Sequence, residues 1–333
     1  MILSMAEKNY NGIDIMKLCM AIVVIAIHTQ PESLLVEGVG REVVELIYDI
    51  AVPCFFMASG FLLFRKIQYP LEPEGRARLR RYLRKICRMY VLWTLFYLPF
   101  TIWGFAQEGM APLKAFVVFL RNVLLVGENL YSWPLWYLLA LIVSVCVIWL
   151  CSSCKLKLWH VLMMSLLLHG VGLCLDYCQQ AGLFGNVVGL YFRIFKTTRN
   201  GLFEGLMYVS LGVCLACLHG RIKRGVLAIG ILTGFSGALL RYPFANVLLA
   251  VSLFALTLNG GHSVSVRHCK YYRVMSSIIY FTHMFFVVLW GNLCHVENLK
   301  ALYVFILSLL SSVLLSVILL RYKDNRLFKI CFQ

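Results

Sequence analysis

Residues 13–27 read IDIMKLCMAIVVIAI, and His28 follows them directly. This stretch decides the fold, because an apolar run of this kind crosses a bilayer as one helix. Eleven residues at ~100° each bring a helix back to within about 20° of its starting angle, so Lys17 and His28 share a face about 16.5 Å apart, with Asp14 one turn below Lys17. Because ionisable groups inside a spanning helix are costly, this face predicts a polar cavity within the membrane. The alternative is a snorkelling Lys17, with Asp14 and His28 at the helix ends.

The composition indicates an integral membrane protein. Of the 333 residues, 61% are hydrophobic and only 14% are charged, which leaves too little polar surface for a soluble globule of this size. The first apolar run has spanning length and no small-residue cleavage site after it, so we expect it to act as its own insertion signal.

Ten apolar runs have the length of a membrane span, which predicts an all-α, polytopic protein. They fall at residues 12–30, 43–64, 86–106, 134–152, 158–177, 201–218, 225–240, 243–258, 274–295 and 300–320. A further run at residues 113–126 is shorter and carries Lys114 and Arg121, so we interpret it as an interfacial helix on the outer side. We expect residues 1–333 to form one transmembrane domain without a soluble one.

The charge distribution sets the expected orientation. With both termini cytoplasmic, 23 of the 31 Lys and Arg residues fall on the inner side. Treating residues 113–126 as an eleventh span would invert every later loop against the positive-inside bias. The net charge of +16 therefore follows from topology, with anionic lipids as the expected partner and no nucleic acid.

One inner segment is more basic than orientation requires. Residues 76–88 read RARLRRYLRKICR and lead into the third span. If the segment is helical, Arg80, Arg84 and Arg88 form a cationic stripe able to bind phosphate oxygens. The alternative is a membrane-surface helix that binds acidic lipids.

Neither the cysteine spacing nor a search for familiar enzyme motifs indicates a known type of site. Cys151 with Cys154, and Cys214 with Cys217, have ligand-like spacing, but their apolar surroundings and the lack of a knuckle turn favour free thiols over a metal site. The sequence has no phosphate-binding GxxxxGK[ST] loop, no HExxH and no GxSxG. Any activity must be built from helix faces and short loops.

Five segments, in order, resemble the acyltransferase family 3 membrane proteins. They are NGIDIMKLCMAIVVIAIHTQP at 11–31, AVPCFFMASGFLLFRK at 51–66, PLWYLL at 134–139, TRNGLF at 198–203 and SSIIYFTHMFF at 276–286. Within the family, the chain is most similar to the membrane module of vancomycin-resistance serine racemases. Those proteins continue into a soluble racemase domain, so we do not expect racemase activity from these residues. The family more commonly has arginine where Lys17 stands, and lysine lacks the bidentate fork.

The resemblance implies transfer of an acyl group, usually acetyl, from cytoplasmic acyl-CoA to a hydroxyl of a cell-envelope glycan or similar acceptor, in the bacterial plasma membrane and without a metal. The phosphates of the donor would lie against the basic segment, and an imidazole near neutrality suits a general base. We predict His28 as the catalytic base and assign donor phosphate binding to Arg80, Arg84, Lys85 and Arg88.

Other polar residues complete the predicted site. Asp14 is expected to pair with Lys17, since it lies too far along the helix to orient His28. Glu204 is expected to be buried as a charged partner of the cavity; the alternative is a structural pair with Arg199. His283 and Tyr280 share a face of the ninth span, where a histidine is often only bonded to a neighbouring helix.

Trp136 and Tyr137 are the predicted acceptor-binding aromatics, by stacking on a sugar; the alternative is an aromatic belt at the membrane surface. A second function class also stays open, a transporter-like module for serine or another small hydroxylated amino acid. Such transporters often contain inverted repeats, and the two halves of this sequence show no similarity, which favours the enzyme.

Overall fold

The computed structural model describes residues 10–67, 69–218, 222–260, 266–294 and 299–332, and within these ranges the chain is helical with no strand. The described residues form thirteen α-helices: α1 (Asn11–Thr29), α2 (Val39–Phe64), α3 (Pro73–Gln107), α4 (Pro112–Arg121), α5 (Trp136–Ser153), α6 (Leu158–Gln180), α7 (Gly185–Phe195), α8 (Leu206–Cys217), α9 (Arg224–Leu239), α10 (Ala245–Gly260), α11 (Val266–Leu293), α12 (Lys300–Leu320) and α13 (Arg326–Phe332). Two wide π-helical turns occur as well, Asn122–Val126 after α4 and Gly201–Gly205 before α8.

Each of the ten predicted spans coincides with one of these helices, and the polytopic all-α prediction is confirmed. Within the described residues, α1, α2, α3, α5, α6, α11 and α12 are long and apolar enough to cross a membrane. The other three apolar helices, α8 with its preceding turn, α9 and α10, are shorter. The cytoplasmic placement of the two termini stays a prediction, and residues 1–9 and 333 lie outside the described ones.

The predicted interfacial segment is a helix too short to cross a bilayer. Helix α4 has ten residues, none of them buried, and the π-helical turn continues it to Val126. Apolar side chains such as Phe116 and Val117 stay exposed on it, as expected for a helix lying on the membrane. Helix α7 is a second helix of this kind, with Val187 and Leu190 exposed. Its eleven residues are fewer than a membrane span needs, so the apolar runs of spanning length did not predict it.

The chain forms two compact units. The first contains Met1–Phe55 and Gly220–Asp324, and the second contains Phe56–His219 and Asn325–Gln333. In the first unit, α1 packs against α10, α11 and α12, and α9 packs against α10. In the second, α5 packs against α3, α8 and the turn at Gly201–Gly205.

In the second unit, α2 and α8 touch backbone to backbone. A Cβ added to Gly60 would lie 2.3 Å from the carbonyl oxygen of Val209, and one added to Gly212 would lie 2.3 Å from that of Met57. Small residues permit this approach, which membrane helices use because hydrophobic burial does not drive their association within lipid. Gly60 and Gly212 therefore allow the close packing of α2 on α8.

Candidate active site

Two of the predicted site histidines lie side by side in the first unit. His28 is half-buried in the last turn of α1, which ends at Thr29 because Gln30 adopts a left-handed conformation and Pro31 follows. His283 lies within α11 and is fully buried. The ring centroids are 5.5 Å apart, with an angle of 29° between the ring planes. The packing of α1 on α11 thus joins residues far apart in the sequence.

The hydrogen bonds of His283 define its tautomer. Its Nδ1 lies 2.8 Å from the carbonyl oxygen of Tyr280 and 3.1 Å from that of Ile279, one turn earlier on α11. Because carbonyl oxygens only accept, Nδ1 carries the hydrogen and Nε2 carries a lone pair. No described residue donates a hydrogen bond to this buried Nε2. The Tyr280 ring packs at 6.2 Å from the His283 ring and at 5.7 Å from Phe55.

A bidentate ion pair joins the beginnings of the same two helices. The guanidinium of Arg273 donates from Nε to Oδ1 of Asp14 at 2.9 Å and from Nη2 to Oδ2 at 2.8 Å. The Asp14 side chain is 3% exposed and that of Arg273 is 49% exposed. The sequence interpretation named Lys17, and not Arg273, as the partner of Asp14. Lys17 itself is half-buried on α1.

These two contacts show that α1 and α11 run in the same direction. Asp14 and Arg273 lie toward the start of their helices, and His28 and His283 lie further along both. Neighbouring spans that run parallel are separated by an odd number of crossings. If α2, α3, α5 and α6 all cross, an odd number of the short helices α8, α9 and α10 would have to cross as well, and the number of spans stays a prediction. Crossing by all three, as the ten-helix prediction has it, meets this condition.

The predicted cationic stripe is a real helical face. Residues 76–88 lie within α3, where Arg80, Arg84 and Arg88 are all exposed, and Leu79, Leu83 and Ile86 on the other side are buried. The Arg80 guanidinium lies 5.9 Å from the centre of the Trp149 ring, a cation–π contact. Lys85 is half-buried. The stripe belongs to the second unit and offers three planar guanidinium groups to an anionic ligand.

The two predicted acceptor-binding aromatics differ in exposure. Tyr137 is buried; its ring lies 4.7 Å from that of Phe56, and its hydroxyl is 2.8 Å from Oγ of Ser59. Trp136 is half-buried and contacts Phe56 at 5.9 Å. The structure therefore places Tyr137 in the packing of α5 on α2, while Trp136 keeps part of its ring accessible.

Glu204 lies in the π-helical turn Gly201–Gly205 and is half-buried, so the expectation that it is buried was wrong. The wide turn carries its side chain to a different angle from the one an α-helix would give it. Asn200 begins the turn, and its Oδ1 accepts hydrogen bonds from the backbone N–H groups of Leu202 at 2.9 Å and Phe203 at 3.0 Å. Arg199, the alternative partner of Glu204, is exposed.

Residues to which the sequence interpretation gave no role hold this turn in place. The Thr198 hydroxyl donates to Asp176 on α6 at 2.5 Å. The Tyr191 hydroxyl on α7 accepts a bond from Asn200 at 2.9 Å and donates to the carbonyl oxygen of Thr197 at 3.0 Å. Burial raises the pKa of Tyr191 to about 12, so the phenol keeps its proton and remains a donor at neutral pH. Single polar residues in a loop or on a helix carry no hydropathy signal that would identify these contacts.

A metal centre is not assembled in the part of the chain that the structure describes, where no three His, Cys, Asp or Glu side chains are placed to hold an ion. All thirteen cysteines are free thiols, including the Cys151 and Cys154 pair.

Comparison with known proteins shows that the chain is similar to one protein family and to amino-acid racemases. A family model described as an acyltransferase domain matches residues 10–321. An amino-acid racemase of Enterococcus faecalis is 26% identical over 274 residues, which cover 81% of this chain and 36% of the relative. A serine/alanine racemase of Enterococcus gallinarum is 30% identical over 226 residues, which cover 62% of this chain and 29% of the relative. The chain thus spans about a third of the length of these relatives. No solved structure matches it.

Proposed function

The chain belongs to the acyltransferase domain family, and from that membership we propose a membrane-bound O-acyltransferase of the bacterial plasma membrane. It moves an acyl group, typically acetyl, from cytoplasmic acyl-CoA to a hydroxyl of a cell-envelope glycan or a similar acceptor. The observation that carries the proposal is the contact of His28 with His283 on two helices of spanning length, since ionisable groups within membrane helices are costly and usually mark a functional site.

The proposed reaction uses His28 as general base. The acceptor hydroxyl attacks the thioester carbonyl while the His28 imidazole takes the hydroxyl proton, so an O–C bond forms as the O–H bond breaks. Collapse of the tetrahedral intermediate breaks the C–S bond, and the departing thiolate takes the proton back from His28. No metal enters these steps.

The cationic stripe on α3 supports acyl-CoA as the donor. Coenzyme A carries phosphate groups, and Arg80, Arg84 and Arg88 present exposed guanidiniums on one face with Lys85 beside them. Acidic lipid headgroups have the same chemistry, so donor binding and lipid binding are separated by experiment below. For the acceptor, the accessible part of the Trp136 ring offers a stacking surface, and Arg199 and Glu204 offer charged hydrogen-bonding groups.

A second candidate function follows from the names of the relatives. Two of them are called an amino-acid racemase and a serine/alanine racemase, and this chain aligns with about a third of each. A membrane part that supplies serine to such an enzyme would be a transporter-like module. Under that function, Asp14, Lys17 and the two histidines would line a path for a zwitterion, and the chain would leave acetyl-CoA unchanged.

The test is acyl transfer by detergent-purified protein given labelled acetyl-CoA. If His28 is the general base, His28→Ala lowers acyl transfer by ~10² to 10⁴-fold while binding of the donor stays near that of the wild type. His160→Ala, at an exposed histidine near the start of α6, is the matched control and keeps wild-type turnover. Lys17→Ala should instead raise the donor concentration needed for half-maximal rate.

Two results would contradict the proposal. Full turnover by a well-folded His28→Ala protein would remove the catalytic role of His28. Uptake of labelled serine into proteoliposomes, with no thioester consumed by any acceptor fraction of the cell envelope, would favour the transporter.

A further inference from the structure

The Nε2 atom of His283 is a buried hydrogen-bond acceptor that no described residue satisfies. Its partner nitrogen, Nδ1, is held by the carbonyl oxygens of Tyr280 and Ile279, so the ring cannot turn over without losing those bonds. Buried acceptors without donors cost free energy and are rare in native proteins. A hydrogen-bond donor that approaches Nε2 during the reaction would therefore be stabilised there, because it would satisfy this buried acceptor.

The adjacent imidazole of His28 is placed to be that donor. The two ring centroids are 5.5 Å apart with the ring planes 29° from parallel, so a hydrogen bond to Nε2 forms either when the His28 ring turns out of this stacked arrangement or through one bridging water. Neutral His28 has one N–H, and protonated His28 has two. The number of donors beside Nε2 of His283 therefore rises when His28 takes up a proton.

Resting on the proposed function, we infer that His283 is the positioning residue for the base. When His28 removes the proton of the acceptor hydroxyl, one N–H of the resulting imidazolium donates to Nε2 of His283. His283 stays neutral and gains no proton, because a full charge at a completely buried site is costly. The proton returns from His28 to the departing thiolate, and the bond to His283 is released.

Two substitutions of His283 separate this role from packing. The amide of Asn overlays the position of Nδ1, so His283→Asn keeps a donor to the Tyr280 carbonyl and removes the acceptor at Nε2. The amide of Gln reaches the position of Nε2, so His283→Gln keeps an acceptor there. The two side chains share the same functional group, and the comparison therefore isolates one hydrogen bond.

We expect His283→Asn to lower kcat roughly 10- to 100-fold, the loss of one hydrogen bond to a charged group, with KM for donor and acceptor unchanged. His283→Gln should recover most of kcat. In His28→Ala protein, adding His283→Asn should cause little further loss, because the two act as a unit. Wild-type kcat in His283→Asn, or equal losses in the Asn and Gln variants, would overturn the inference.

A measurement that needs no turnover keeps this inference distinct from the proposed function. Protein labelled with ¹⁵N-histidine and titrated from neutral to acidic pH should show a shift of the His283 Nε2 resonance at the pH where the His28 resonances report uptake of a proton. The shift should vanish in His28→Phe protein. If the wild type transfers no acyl group yet the shift appears, the proposed function fails and the histidine pair stands. If Nε2 of His283 does not respond to protonation of His28, the pair fails whatever the activity.

Discussion

The ion pair between Asp14 and Arg273 should make the protein unequally sensitive to loss of its two members. We compare Asp14→Asn, Arg273→Gln and the double variant. The Asp14 side chain is 3% exposed, whereas that of Arg273 is 49% exposed. Removing Arg273 leaves a carboxylate buried without its bidentate partner, whereas removing Asp14 leaves a guanidinium that water already reaches.

The structure sets the size of the two effects. Loss of one member of a buried pair costs about 3–5 kcal/mol of unfolding free energy when the remaining charge stays buried, so we expect that range for Arg273→Gln. For Asp14→Asn we expect about 1–2 kcal/mol, since two charge-assisted bonds are lost but the remaining arginine is half solvated. The double variant should be more stable than Arg273→Gln alone.

The assay is denaturant unfolding of the detergent-purified protein, followed by tryptophan fluorescence. Arg41→Gln is a matched control, because Arg41 pairs with Glu45 at 3.1 Å where both side chains are exposed, and its loss should cost under about 1 kcal/mol. Equal losses for Asp14→Asn and Arg273→Gln, or a larger loss for Asp14→Asn, would refute the reasoning from burial.

Three further predictions concern the donor site, the topology and the packing. Replacing Arg84 and Arg88 together with Gln should weaken coenzyme A binding by about 1–3 kcal/mol, since both side chains are exposed; unchanged affinity with weaker binding to anionic vesicles would make the stripe a lipid anchor. An impermeant thiol reagent should label exposed Cys154 only from the cytoplasmic side of membrane vesicles, and labelling from outside would overturn the ten-helix topology. Gly60→Ala should lower the unfolding free energy by about 1–3 kcal/mol because its Cβ would meet a backbone carbonyl of α8, whereas Gly189→Ala, with open space around it, should not; equal stability of both variants would contradict the packing.

The sequence alone determined the class of protein, the positions of the apolar helices and the family. Each depends on local information: a run of apolar residues long enough for a bilayer, or short motifs in a given order. The stripe of Arg80, Arg84 and Arg88 was predictable for the same reason, since a four-residue repeat keeps to one face of any helix. Helix α7 was not predicted, because its eleven residues are fewer than an apolar run of spanning length.

Only the tertiary structure decided which polar groups meet. Asp14 and Arg273 are 259 positions apart, and neither segment contains a signal that predicts their contact. Which membrane helices become neighbours depends on lateral packing and not on hydropathy. The contact of His28 with His283 and the orphaned Nε2 beside it arise in the same way, from α1 lying parallel to α11. The sequence supplied the ionisable groups, and the packing of distant helices brought them together into a candidate site.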